Sequence, residues 1–507
     1  MVWWSRSRPS FERRSATCHD RTVVMKRVVI VGGGITGLAT AHALEKSKSH
    51  VEALVFEASA RLGGNIQTVT HNGFIIDAGP DSWVASKPYA TRLVREMGMS
   101  GELMGTRADK RRVYILFKKR LHPMPEGLVL GIPTEWRPFA ETELLGLDAK
   151  LRAGLEPVIP RKTFGEDDDE SIASFVSRRL GSEISERIVG PLLGGIFAGD
   201  PEALSVRACV PQLVDAEAKY GSLVRAMRAQ RRARLQQRTP GGDEPSAFLS
   251  LKRGLGDLVV NVAHRLRDAN VQKSCPVKRV ARLPAGDARG RWAVETHGTT
   301  HYADDVALTI PAHVATRLLR DVDPEMADIC GTFPYASTAT AFLAFRASEV
   351  RHPLDAFGFL VPRSENRPIL AATFVSSKWD NRAPAGQVLL RLFFGGAVGE
   401  HALRHDDDTL VRIAREEVRE LLGIDAEPVF AKVFRFDRAS PLPPVGHVMR
   451  VKRLFARARS HPGLHLGGNG YLGSGIPDAI KQGEEIAQAI LGTDRITDAE
   501  TRPSLPA

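Results

Sequence analysis

Gly32, Gly34 and Gly37 stand in a G-x-G-x-x-G spacing directly after the β-branched run 27–31 and directly before an apolar, helix-compatible stretch at 38–44. The chemistry this spacing supports is binding of a dinucleotide pyrophosphate. The first glycine permits a tight turn, the second lets phosphate approach the backbone at a helix N-terminus, and the third lets helix and strand pack closely. Gly33, Ile35 and Thr36, between them, add backbone N–H groups to the same turn. Glu57, with Ala58 beside it, closes the next apolar run, 51–56, where a carboxylate can accept hydrogen bonds from an adenosine ribose.

These residues need a frame to hold them. Strand, glycine turn, helix and strand make the βαβ unit of a doubly wound, Rossmann-like sheet, so the fold class is α/β at the N-terminus. A chain of 507 residues is too long for one ordinary core, which implies several domains built from interleaved segments. Residues 26–100 read as the first part of the nucleotide-binding domain and 101–247 as a mainly helical insertion with helices at 171–180 and 222–237, carrying some segments of the substrate domain. Residues 248–310 read as the second nucleotide-binding part, 311–455 as an α+β, mixed-sheet substrate domain with alternating strands at 338–345 and 388–394, and 456–492 as a final strand, glycine-rich turn and helix. Residues 1–25 and 493–507 read as tails, the first with Met25 as an alternative start. The segment 241–246 reads as a loop.

Composition excludes several classes. A hydrophobic fraction of 43% and a charged fraction of 25% describe an ordinary globular chain. No apolar run reaches the roughly 18 residues of a membrane span, so a soluble or peripheral, cytoplasmic protein is expected, with any attachment on the inner face of the cytoplasmic membrane. Cys18, Cys209, Cys275 and Cys330 are scattered without a CxxC pair, which argues against a zinc site or disulfide framework. The net charge of +11 attracts anions of any kind. Arg225, Arg228, Arg231, Arg232, Arg234 and Arg238 read as a solvated helix face, and without interleaved aromatics or a known module no nucleic-acid partner is expected.

Beyond Glu57 the chain continues with Arg61, Leu62, Gly63, Gly64 and Asn65, then Gly73, Asp77, Gly79 and Pro80. This R-x-G-G…G-x-x-x-D-x-G-P continuation resembles the extended nucleotide motif of the amine oxidase and protoporphyrinogen oxidase superfamily. The stretch G-I-F-A-G-D-P-E-A-L-S-V from Gly195 to Val206, the stretch F-G-F-L-V-P from Phe357 to Pro362 and the ending H-L-G-G-N-G-Y-L-G-S-G-I-P-D-A-I from His465 to Ile480 are similar to protoporphyrinogen oxidase segments, with Ala479 where a cysteine is usual. The resemblance runs from Lys26 to Gly492.

The resemblance implies an amine oxidase-like fold and a non-covalent FAD. Asp81, Ser82, Val277, Asn469, Ser474, Gly475 and Ile476 join the residues above as cofactor contacts. It implies no metal. The reaction implied is six-electron oxidation of protoporphyrinogen IX to protoporphyrin IX, a step of haem biosynthesis, with O2 as acceptor and hydrogen peroxide formed. Phe357, Gly358 and Leu360 would shape a flat slot for the macrocycle, Gly358 by leaving room for it, and Arg112 or Lys87 would meet its propionates. No residue is identified as a general base. Coproporphyrinogen III oxidation is the nearest alternative, a flavin amine oxidase or carotenoid desaturase a more distant one, and a non-catalytic binding protein the alternative from another class. Homodimerisation, contact with a membrane surface and docking to ferrochelatase are partner expectations of the same resemblance.

Overall fold

The computed structural model describes residues 25–236, 246–266 and 269–492; the N-terminal Arg-bearing segment, Arg238, most of loop 241–246 and the C-terminal tail lie outside them. Five parallel strands form the first sheet, in the order Asn270–Gln272, Val51–Phe56, Lys26–Val31, Asp305–Leu308 and Leu464–Leu466. Val28, Val29 and Ile30 are fully buried, because a parallel strand covered on both faces must be apolar on both.

Helices Ile35–Lys46 and Ile476–Leu491 cover one face, where Ile486, Ala487 and Ile490 pack with Val28 and Ile30. The two helices approach closely: a Cβ on Gly483 would lie 2.5 Å from the carbonyl oxygen of Thr36. On the other face Val29, Val31, Leu54 and Phe56 meet Trp292 and Val294 of an antiparallel meander, Arg279–Arg282, Trp292–Glu295 and Thr300–Ala303. Helices Ala312–Leu319, Pro324–Gly331 and His447–Ala458 complete that core. All but the end of the last lies within the 311–455 stretch read from sequence as substrate domain; their apolar faces are buried on the nucleotide side because that sheet face is otherwise bare.

The second sheet has seven strands, ordered Phe430–Pro441, Tyr335–Arg346, Gln387–Gly395, Ala371–Phe374, Ala356–Leu360, Arg112–Phe117 and Arg120–Pro123. Only the pair Ala356–Leu360 and Arg112–Phe117 runs parallel. Phe345, Phe359, Leu392 and Phe394 pack one face onto Leu410, Ala414 and Val418 of helix Asp407–Leu422. The opposite face looks toward the first domain and a helical lobe.

That lobe spans 136–236 around Phe139, Phe175, Val176, Ile188, Leu213 and Met227, and Ile115 of the second sheet joins its core. Ser171 caps helix Ile172–Leu180, its hydroxyl accepting from Ser174 N at 3.1 Å. The Arg-rich helix is Leu223–Gln236; Arg225 and Arg232 are exposed, whereas Arg228 donates to Thr134 O and lies over Trp136, and Arg231 pairs with Glu135. Arg382, almost wholly buried, ties the substrate side to the nucleotide side through Asp77 (3.0 Å), the Ser250 hydroxyl and the carbonyls of Leu251 and Lys252.

Candidate active site

Each glycine of the first turn is required for its own reason. A Cβ on Gly32, whose φ is +110°, would lie 2.7 Å from Thr309 O, and one on Gly37 would lie 2.0 Å from Gly32 O. Gly34 differs: a Cβ there would meet nothing within 4 Å. The following helix has no side-chain cap and no acid in its first turn, so its leading N–H groups keep their affinity for an anion. Gly63 N donates to Gly33 O at 2.8 Å and Gly63 bridges Gly34, which lays the R-x-G-G turn along the first. Arg61 folds back onto Ile66 O at 3.3 Å. Open space beside Gly34, facing an uncapped helix start, fits a pyrophosphate.

Glu57 Oε2 accepts from Gly33 N at 2.7 Å and Oε1 from Ser59 N at 2.8 Å. The carboxylate is thereby aimed, and each oxygen retains a lone pair for a ribose hydroxyl. Ala58 is exposed beside it. The side chain of Val277 belongs to the core, so contact with a cofactor is left to its backbone.

At the far end Gly79 allows close approach, since a Cβ there would lie 1.9 Å from Asn65 O. The amides of Asn65 and Asn469 both donate to Ala439 O, at 3.1 and 3.3 Å, and Asn469 Oδ1 is buried without a hydrogen-bond partner. That orphan acceptor suits a ligand donor. Asp81 and Ser82, read from sequence as cofactor contacts, turn their side chains to the protein. Asp81 accepts from Lys378 (2.8 Å), Trp379 (3.0 Å) and the Ser82 hydroxyl (2.7 Å). Burial alone would raise its pKa, but Lys378 and Arg391 hold it well below the usual carboxylate range. That leaves their backbones, rather than their side chains, for a cofactor. Pro80 is half-buried next to them and Ser474 is exposed. Gly475 precedes the last helix and Ile476 packs with Ile35. Lys87 pairs with Asp478 at 2.7 Å, so its charge is directed to that helix start and not to a substrate.

The slot residues also separate. Ala356 and Phe359 share one core, which requires an irregularity in the strand between them; Gly358, at φ +145°, supplies it. A Cβ on Gly358 would lie 1.9 Å from Ala372 O. Gly358 is therefore fixed by its neighbouring strand, not kept small for a macrocycle. The irregularity leaves Phe357 half-buried and outside the core clusters, while Leu360 turns toward Gly195 at the helical lobe, 3.6 Å from a Cβ there. Arg112 is displaced from its expected role. Along its strand Ile115 joins the lobe core while Tyr114 and Leu116 face the other core, so alternation puts Arg112 on the side away from the slot. It pairs there with Asp355 at 3.3 Å, which also accepts from the Tyr114 hydroxyl.

Thr340, Arg391 and Phe393 were not singled out from sequence. Thr340 pairs with Phe393 and Phe342 with Arg391 across adjacent strands, putting all four side chains on one face. The Thr340 hydroxyl and Arg391 both donate to Ala78 O, next to Gly79. A cation inside the otherwise apolar run 388–394 was the available signal. The G-I-F-A-G-D segment proves to be an anchor: Asp200 pairs with Arg363 at 2.8 Å and Ala198 O accepts from Ala397 N at 2.8 Å.

Comparison with known proteins places the chain among its relatives. A family model described as flavin containing amine oxidoreductase matches residues 35–491. The chain is 35% identical to the coproporphyrinogen III oxidase of Bacillus subtilis, covering 90% of this chain and 96% of that one. It is 29% identical to protoporphyrinogen oxidase 1, chloroplastic, of Arabidopsis thaliana, covering 92% and 88%. A crystal structure of an Exiguobacterium protein superposes with a TM-score of 0.80 at 31% identity, covering 92% of this chain and 99% of that one.

Proposed function

The chain belongs to the flavin-containing amine oxidoreductases, and on that premise we propose that it holds FAD non-covalently and oxidises a porphyrinogen to a porphyrin with O2 as acceptor. The observation that carries the cofactor is the open space at Gly34 before an uncapped helix, with Glu57 aimed beside it. Burial pushes the Cys209 and Cys330 thiols up to about 12, so neither offers a thiolate for a covalent link. FAD, when bound, supplies a two-electron acceptor for a C–H or N–H hydrogen of the macrocycle.

The chain's own part is to bind, orient and exclude water. Glu57 and the glycine turns fix the adenosine end, Asn65 and Asn469 the region beside Ala439, and Phe357, Leu360 and Phe393 offer apolar surface to a flat tetrapyrrole. The greater identity to the Bacillus relative favours coproporphyrinogen III as substrate. Protoporphyrinogen IX, ranked first from sequence, is the second reading, supported by the plant relative. A peripheral position on a membrane is supported by Leu147, Leu151, Leu155 and Val158, four exposed apolar side chains at helical spacing on the lobe; no helix among the described residues is long and apolar enough to cross one.

The test is to record the visible spectrum of the purified protein and then follow porphyrin fluorescence in air with each porphyrinogen. Flavin bands with faster turnover of coproporphyrinogen III support the first reading, and faster turnover of protoporphyrinogen IX the second. A colourless protein that takes up no FAD overturns both.

A further inference from the structure

Arg391 sits in the middle of strand Gln387–Gly395 and is only 6% exposed. Its guanidinium lies over the Phe393 ring at 4.4 Å and near the Phe342 ring at 5.4 Å. Nη2 donates to Ala78 O at 2.8 Å, while Nε is buried with no hydrogen-bond partner. A guanidinium has five N–H donors, so this one is under-satisfied.

The neighbouring carboxylates act on it by charge alone and accept none of its hydrogen bonds. Asp77 accepts from Arg382, the Thr68 hydroxyl and Leu255 N, and Asp81 from Lys378, Trp379 and Ser82. Arg382, Lys378 and Arg391 thus oppose only Asp77 and Asp81, leaving at least one surplus positive charge beneath the Ala78–Gly79 turn. Burial lowers the Arg391 pKa to about 10, with Asp81 and Asp77 opposing that shift, which leaves it charged at neutral pH. A buried cation that shares two carboxylates with two other cations is under-compensated, so the arrangement favours a further anion.

We propose that Arg391 is a positioning residue for the flavin, whose fixed charge behind the Ala78–Gly79 turn favours the reduced, anionic ring over the oxidised, neutral one. The inference rests on the flavin reading above. Reduction delivers two electrons and one proton to the ring, and the second proton of the substrate leaves to solvent; the net negative charge gained is the one that Arg391 faces. The cation–π contacts hold the guanidinium in place while it is short of partners.

The experiment is a midpoint-potential measurement on the flavin-loaded wild type, R391M and R391K, with FAD content read from the visible spectrum. R391M is expected to bind reduced flavin, relative to oxidised, at least tenfold less well, a fall in potential of about 30 mV for a two-electron couple. R391K keeps the charge and most of the potential. D81N removes a negative charge from the same cluster and is expected to move the potential upward. Full FAD content with an unchanged potential in R391M overturns the inference. Should R391M not fold, D81N decides it: an upward shift supports the charge argument, and no shift or a downward one overturns it. A wild type that binds no FAD instead defeats the flavin reading itself.

Discussion

Glu57 accepts a 2.7 Å hydrogen bond from the backbone nitrogen of Gly33, so the acid ending one strand and the turn ending its neighbour are a single unit. The bond uses one lone pair of Oε2, and the remaining lone pairs are the ones that would accept from a ribose. In E57Q an amide replaces a charged acceptor of the same shape, with a loss of about 1.5–3 kcal/mol, or roughly 10- to 100-fold in FAD dissociation constant. Titration of the apoprotein by flavin fluorescence quenching measures it; wild-type affinity in E57Q would remove Glu57 from the site.

Gly34 and Gly37 are expected to respond oppositely to alanine. At Gly34 the new methyl enters open space, so thermal stability of the apoprotein holds while FAD affinity falls by about 100-fold, on the order of 3 kcal/mol. At Gly37 the methyl would lie 2.0 Å from Gly32 O, and the overpacking costs about 3 kcal/mol or more of fold stability. Thermal melts of the two apoproteins, beside flavin titrations, separate the cases. Equal melting losses in both would contradict the distinction.

Phe357 and Gly358 divide in the same way between binding and fold. F357A removes an apolar platform and is expected to raise KM for the porphyrinogen about tenfold, with the melting temperature nearly unchanged. G358A is expected to fail in folding, since its methyl would lie 1.9 Å from Ala372 O. R112A is expected to leave KM within about twofold, because Arg112 pairs with Asp355 on the opposite side of its strand. Steady-state kinetics check all three, and a large KM effect in R112A would mean that the strand carries Arg112 into the slot.

Acid stability has an identifiable contributor. The Asp323 carboxylate caps helix Pro324–Gly331 and accepts from Arg457 (2.7 Å) and His461 (2.8 Å). Burial opposes ionisation, yet these partners lower its pKa to about 2. A depressed folded pKa gives stability that is fully present above the unfolded value near 3.8 and is lost as pH falls toward 2. Asp323→Asn is therefore expected to destabilise the protein by about 2 kcal/mol at pH 7, with the gap to wild type closing below pH 4. A gap independent of pH in denaturant melts would rule out this linkage.

The geometry of the glycine turn and its acid was legible because its constraints are local. Gly32, Gly34, Gly37 and Glu57 lie within one βαβ unit, and their spacing alone brings turn, helix start and carboxylate together. The substrate half was less so, because its geometry is set between strands distant in sequence. Gly358 looked like room for a ligand until Ala372 was seen beside it, and Arg112 looked like a propionate partner until the alternation of Ile115 and Leu116 fixed its face. Arg391 carried a signal, a charge among apolar residues, but its meaning depended on Asp77 and Asp81 being engaged elsewhere. Helices 312–319 and 447–458 joined the nucleotide side for the same reason: which sheet needs covering is a property of the assembled layers.

Asn65 donates to a carbonyl 374 residues further along, and Lys26 reaches Ile490 O, 464 positions away. The strand Lys26–Val31 is thus covered by the helix Ile476–Leu491, far along the chain, and strand Leu464–Leu466 joins the same sheet by pairing with Asp305–Leu308. A nascent chain still short of residue 491 has the glycine turn but not the helix that packs on it. Covering of the glycine turn consequently waits for residues as far along as 491, however much of the intervening chain has already folded.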